Sequence, residues 1–239
     1  MIETFLALLF AHVLADYVFQ PGWMVARKRN PLVLLLHSAL VLALSQAATG
    51  HVMAEPVVFL ALAHGAIDAV KTWGFRDTLA THLVDQAAHL VVLAAIAAHA
   101  PNLWSTGSWA DLSAWLPHLM VLASGALLAT RAGGFAMEKL MAPLAESFTS
   151  DGLPRGGMLI GQLERGLIFL LILFGQTTSV GFLIAAKSIM RFEASKEQKA
   201  AEYVIIGTLA SFGWAILAGQ ATVALFDLLP PLEITSGIP

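Results

Sequence analysis

Apolar runs occupy residues of about 2–20, 32–49, 55–73, 79–98, 117–137, 158–176, 178–191 and 203–226, and Pro31, Pro56, Pro101, Pro117, Pro154 and glycine-rich turns punctuate them. Proline and glycine at such places begin and end helices. Most of the runs approach the roughly 20 residues with which a helix crosses about 30 Å of hydrocarbon. The pattern predicts an all-α fold, a polytopic integral membrane helical bundle of about eight transmembrane helices. Segment 178–191 is the shortest of them. Residues 1–137 form front helices and residues 158–239 back helices, joined by an inner loop over 138–157 that carries Glu138, Pro143, Glu146 and Asp151. The two halves are expected to pack as one compact membrane domain.

Among the loops, lysine and arginine fall only in alternate ones. Arg27, Lys28 and Arg29 follow the first segment, Lys71 and Arg76 the third, Arg131, Lys139 and Arg155 the fifth, and Arg191, Lys196 and Lys199 the seventh. Short cytoplasmic loops collect basic residues, so the expected topology has the N-terminus and C-terminus outside, in a bacterial inner (plasma) membrane. It also requires the seventh segment to cross. The first run carries Glu3 and no basic stretch ahead of it, so it reads as a retained helix and not a cleaved signal.

Composition narrows the function classes. Of 239 residues, 58% are hydrophobic and 12% charged, against about 45–50% and about 25% in soluble domains. A water-soluble globular protein is excluded. The net charge of −3, without a basic stripe, excludes nucleic acid as a partner. With no cysteine there are neither disulfides nor thiolate metal sites. Membrane lipids are the expected partners, and nitrogen and oxygen are the only metal ligands on offer.

The front segments carry seven ionisable groups at membrane depth: His12 and Asp16, His37, His64 and Asp68, and Asp85 and His89. A mid-span Asp costs about 2.5–3.5 kcal/mol on insertion scales, so each such group calls for a partner or a task. Three of the four segments repeat a His and an Asp four residues apart. That offset is about 40° of rotation and about 6 Å of rise, so each pair shares a helix face. The order is His before Asp in the two inward segments and Asp before His in the outward fourth, as a common layer requires. Counted from the inner ends, the histidines lie about 6–10 residues deep and the aspartates about 4–6, so two stacked layers are expected in the cytoplasmic leaflet.

Imidazole and carboxylate together suit a divalent metal, zinc first, with manganese or iron as alternatives. His12, Asp16, His37, His64, Asp68, Asp85 and His89 are the metal-ligand candidates. Asp16, Asp68 and Asp85 are also the candidate catalytic groups, as general base or as orienters of a histidine. Lys71, three residues past Asp68, can pair that carboxylate, snorkel to a headgroup, or bind an anionic substrate group. Gln20, Asn30 and Gln86 lie near the same mouth as candidate donors. His51, His82, His99 and His118 are expected to be solvated or interfacial, and Trp104, Trp109 and Trp115 to anchor an outer loop at the headgroups. In the back half, the neighbours Glu164 and Arg165 need partners on other helices. A network from Glu164 or Glu202 to Lys187 or Arg191 is the expected arrangement.

The segments AHVLADYVFQPGWMVARKR, LLLHSAL, HGAIDAVK and DQAAHL, with GQLERGLIFLLILFGQ, GFLIAAKSIMRF and EYVIIGTLASF behind, give the chain its resemblance to an uncharacterised bacterial family of multi-spanning membrane proteins, domain of unknown function 3307. That resemblance implies a membrane protein and no activity. By the spacing of its His and Asp residues the chain is also distantly similar to bacterial membrane-bound metal-dependent hydrolases. The leading expectation is a metal-dependent hydrolase of a lipid or amphipathic substrate. Two alternatives stand beside it: a transporter or proton- or ion-conducting protein using the same groups as a relay, and an assembly or scaffold protein whose polar cluster fixes helix packing.

Overall fold

The computed structural model describes residues 1–111, 114–145, 155–192 and 198–232. Every regular element among the described residues is a helix, and none is a strand. In chain order the helices are α1 (Ile2–Tyr17), α2 (Gly22–Ala26), α3 (Pro31–Thr49), α4 (Glu55–Gly74), α5 (Leu79–His99), α6 (Leu116–Leu127), α7 (Gly133–Ala145), α8 (Gly156–Leu173), α9 (Thr177–Phe192) and α10 (Gln198–Asp227), with a π-helical turn over Leu128–Ala132 joining α6 to α7. Each of the eight apolar runs coincides with a helix. Six helical stretches are long and apolar enough to cross a membrane: α3, α4, α5, the continuous Leu116–Ala145, α8 and most of α10. α1 and α9, at 16 residues each, are shorter. Leu32, Leu35, Val84, Val91, Phe182 and Leu217, all within helices, stand exposed, as lipid-facing side chains do. The protein is a multi-pass membrane helical bundle.

Local chemistry sets the helix ends. Asn30 caps α3 by accepting the Leu32 N–H at 3.0 Å, with Pro31 opening the first turn. Gly50 ends the same helix at φ 75°, a left-handed conformation that glycine adopts without strain. Thr78 and Thr81 form a reciprocal capping box ahead of α5.

The chain divides into two compact units, one of Met1–Ser124 with the segment from Ala224 onward, the other Gly125–Val223. In the first unit α1 packs on α3 and α5, and α4 packs on the same two, so four helices close a ring. At one end of the unit, Ala7, Ala11, Ala48, Trp104 and Met120 form an apolar cluster. The loop after α5 belongs to this packing and is not simply an interfacial anchor. Trp104 is buried, its N–H donates to Thr4 Oγ1 at 3.1 Å, and the Trp109 indole donates to Ala47 O at 2.6 Å, satisfying a carbonyl near the end of α3. Trp109 and Trp115 are exposed, and Trp104 is not.

In the second unit, Ile168, Ile172, Val180, Phe212 and Ala215 form the core. Neighbouring helices supply side-chain donors to three carbonyls of the π turn. The Arg165 Nε donates to Ala129 O and its Nη2 to Thr130 O, both at 3.0 Å, while the Trp214 indole donates to Leu128 O at 2.8 Å. Lys187 pairs with Glu164 as expected, whereas Arg165 finds carbonyls and the Ser211 hydroxyl in place of an ionic partner. Glu202 accepts from Gln198. Residues 138–145 of the expected inner loop continue α7, while Glu146, Asp151 and Pro154, like Lys196 and the Arg191 side chain, lie outside the described residues.

Candidate metal centre

The ring of α1, α3, α4 and α5 brings all seven singled-out side chains into one cluster. Ring centroids are 4.0 Å apart for His64 and His89, 5.2 Å for His37 and His64, 5.2 Å for His12 and His89, and 5.5 Å for His12 and His64. The four imidazoles, Asp68 and Asp85 are buried, and the Asp16 side chain is 8% exposed. The histidine and aspartate layers interlock, because Asp16 and Asp68 both reach the edges of His37 and His64.

Each carboxylate is held by one oxygen and leaves the other without a hydrogen bond. Asp16 Oδ2 accepts from Gln86 Nε2 at 3.1 Å, Asp68 Oδ1 from Lys28 Nζ at 2.8 Å, and Asp85 Oδ2 from Lys71 Nζ at 3.0 Å. Asp16 Oδ1, Asp68 Oδ2 and Asp85 Oδ1 are buried and have no hydrogen-bond partner among the described residues. Both ring nitrogens of His89 are in the same condition. Buried polar atoms are nearly always satisfied, so this many orphans in one place require an explanation.

The spacing supplies one. His37 Nε2 lies 3.1 Å from His64 Nε2, 3.3 Å from Asp16 Oδ1 and 3.5 Å from Asp68 Oδ2, and His64 Nε2 lies 3.5 and 3.6 Å from the same two oxygens. Adjacent ligands of a tetrahedral zinc ion with bonds of about 2.0–2.1 Å stand about 3.3–3.5 Å apart. Three overlapping sets have all their ligand atoms within 4.8 Å of one another: His12, Asp16 and His64; His37, His64 and Asp68; and Asp68, Asp85 and His89. Lys28 and Lys71 offset two of the three carboxylate charges, leaving one for a bound cation.

Several expectations change. Lys71 pairs with Asp85 and not with Asp68, whose cation is Lys28. The run Arg27–Lys28–Arg29 carries an orientation signal in the sequence, and nothing in it marks the middle residue as the one that turns inward. Gln86 is a bridge and not a substrate donor, since its amide binds Asp16, Asp85 and, through Oε1, His12 at 3.2 Å. Asn30 is spent on its cap, and Gln20 Nε2 is buried without a partner among the described residues. His82 is buried and not solvated, while His51 hydrogen-bonds Leu103 O at 2.8 Å and His118 stacks on Phe226. His99 is exposed.

No curated protein and no solved structure matches the chain, so the likeness to membrane-bound metal-dependent hydrolases stands on His and Asp spacing alone. The sequence model of one family does match, and the matched stretch contains every residue of the cluster together with Lys28, Lys71 and Gln86. Residues 4–116, somewhat less than half of the chain, are matched by the family described as a protein of unknown function (DUF3307), and this stretch is similar to it.

Proposed function

We propose that the front bundle is a divalent metal centre, with zinc as the first candidate, and that it hydrolyses a lipid or amphipathic substrate. The observation that carries the reading is that three buried aspartates each have one oxygen held by a donor and the other orphaned toward imidazole nitrogens. A bound cation satisfies those oxygens and the unpartnered nitrogens together. Asp16 Oδ1 and Asp68 Oδ2 each stand within 3.6 Å of both His37 Nε2 and His64 Nε2, which favours these four groups as ligands of one ion. Asp85 and His89 join Asp68 in a set of only three protein groups, and three protein ligands with one open position is the arrangement of hydrolytic metal sites. An ion held there by Asp68, Asp85 and His89 would lower the pKa of a water in the open position. The distribution of Lys and Arg supports a bacterial inner-membrane protein with both termini outside and the site in the cytoplasmic leaflet.

Elemental analysis of detergent-purified protein tests this. Wild type is expected to carry about one or two zinc, manganese or iron ions per chain, lost in His37→Ala/His64→Ala. Asp85→Asn is expected to keep the fold, to lose the metal of its own three-residue set and to lose turnover in a lipid-ester screen. Protein that stays metal-free after incubation with all three ions overturns the reading. Proton flux through liposomes by that protein would then assign the 3.1 Å link between His37 and His64 to a relay.

A further inference from the structure

A groove of about 450 Å3 runs along the first unit between α4 and α5. Ala66, Ile67 and Val70 form one wall and Ala80, Val84 and Ala88 the other. The depression exists because the alanines leave room that a Leu or Ile would fill. Its volume falls within the range of about 300–1,000 Å3 common to small-molecule sites. From Ala66 to Phe75 it follows about 14 Å of helix, the reach of a medium hydrocarbon chain.

Two observations say what lies in it. Both walls belong to helices long and apolar enough to span, and Val70 and Val84 are 63% and 70% exposed, so in the bilayer the groove faces acyl chains and not water. Partway along this apolar wall stand Lys71 and Asp85, the only charged side chains among the described residues that line it. The Lys71 side chain is 22% exposed, and the Asp85 side chain is 3% exposed with Oδ1 unpartnered. A hydrocarbon chain by itself matches the walls and leaves that pair unexplained. An amphiphile with an anionic head matches both.

We infer that the α4–α5 groove binds a phosphate-headed lipid, its chain between the alanines and its phosphate on Lys71. The Lys71 ammonium has three donors, and its 3.0 Å pair with Asp85 Oδ2 uses one of them, so a phosphate oxygen can be taken whether or not a metal is bound. The head thereby arrives at Asp85, which is both a wall of the groove and a member of the three-residue ligand set. That the bound lipid is the substrate rests on the hydrolase reading above; that it binds does not.

The test places purified protein in phosphatidylcholine nanodiscs doped with chain-spin-labelled phosphatidic acid or, separately, chain-spin-labelled phosphatidylcholine, and reads the immobilised fraction by electron paramagnetic resonance. Wild type is expected to prefer phosphatidic acid by about fivefold, the increment one lysine gives an anionic lipid. Lys71→Gln is expected to lose that preference, and Ala66→Phe/Ala88→Phe to lose the immobilised fraction itself. Equal immobilisation of the two lipids by wild type overturns the assignment without recourse to any variant. So does a folded double-Phe variant that immobilises phosphatidic acid as wild type does. Metal content measured on the same samples separates the two readings. Metal-bearing protein without lipid preference sinks the groove alone, and metal-free protein with the preference sinks the metal centre alone.

Discussion

Gly65 of α4 faces Ser38 of α3 so closely that a side-chain carbon at the glycine would lie 2.5 Å from the serine hydroxyl oxygen. Each is the chain neighbour of a cluster histidine, His64 and His37, whose Nε2 atoms stand 3.1 Å apart. The close crossing is what sets that distance, since a larger residue at either place would part the helices. Gly65→Val is therefore expected to cost about 1–3 kcal/mol of stability and to lower metal content, although every proposed ligand is still present. Gly65→Ala should cost less, because the atom it meets is a hydroxyl that can rotate. Unfolding of the detergent-solubilised variants, with metal analysis alongside, checks both. A valine variant as stable and as metal-rich as wild type would show that the crossing does not set the site.

The amide of Gln86 takes Asp16 Oδ2 and His12 at once and so aims Asp16 Oδ1 at His37 and His64. Partners that orient a ligand from behind are worth about 10–100-fold in metal affinity. Gln86→Leu should weaken zinc binding by about that factor, with little change in the helix content of the protein. Competition titration against a zinc chelator measures it, and an unchanged dissociation constant would remove Gln86 from the support of the site.

Lys28 reaches Asp68 from outside the spanning helices, from the turn after α2, and closes the pair at 2.8 Å with the carboxylate 1% exposed. Removing the cation leaves a buried carboxylate alone, a loss of about 3–5 kcal/mol in fully enclosed pairs. Lys28 keeps some exposure, so Lys28→Met is expected at or below the lower end of that range. Zinc at about a hundred times its dissociation constant should return up to about 2.7 kcal/mol, because the metal takes over the same charge. Melting curves of Lys28→Met with and without zinc decide it. Failure of zinc to restore a destabilised variant would mean that Asp68 is not a ligand.

How far the sequence could be read depended on what each feature is made of. The helices were legible because apolar runs and their proline and glycine boundaries are local signals, and each run lies on a helix. The clustering of the His and Asp residues was legible from a four-residue spacing and its inversion, because helix geometry turns spacing into a shared face. What connects the cluster was not. Lys28 comes from a basic run whose three members look alike, Lys71 chooses Asp85 on the next helix over its own neighbour Asp68, and Gln86 bridges helices that pair only in three dimensions. Trp104 failed as an interfacial marker for a related reason. A tryptophan in a polar loop reads as a headgroup anchor unless the fold brings that loop onto Ala7, Ala11 and Ala48. The π turn at Leu128–Ala132 leaves no signature in its residues, and only Arg165, an arginine in the middle of an apolar helix, points to something needing donors.

Arg165 gives the last prediction, in the second unit. Its guanidinium spreads over Ala129 O, Thr130 O and Ser211 Oγ, three neutral acceptors on two other stretches of chain, all at 3.0 Å. Such a fork is what a guanidinium offers and an ammonium does not. Arg165→Met removes a buried side-chain donor from Ala129 O, Thr130 O and the Ser211 hydroxyl at once, each contact being worth about 0.5–1.5 kcal/mol, so a loss of a few kcal/mol is expected. Arg165→Lys keeps the charge and should still lose most of that stability, because one nitrogen cannot serve both carbonyls. A side-chain carbon at Gly133 or Gly161 would lie 2.9 or 3.1 Å from the guanidinium, so the glycines make room for it. Chemical denaturation of the two variants in micelles, compared with wild type, separates geometry from charge. If Arg165→Lys proved as stable as wild type, the positive charge alone would hold the turn, and the fork would be incidental.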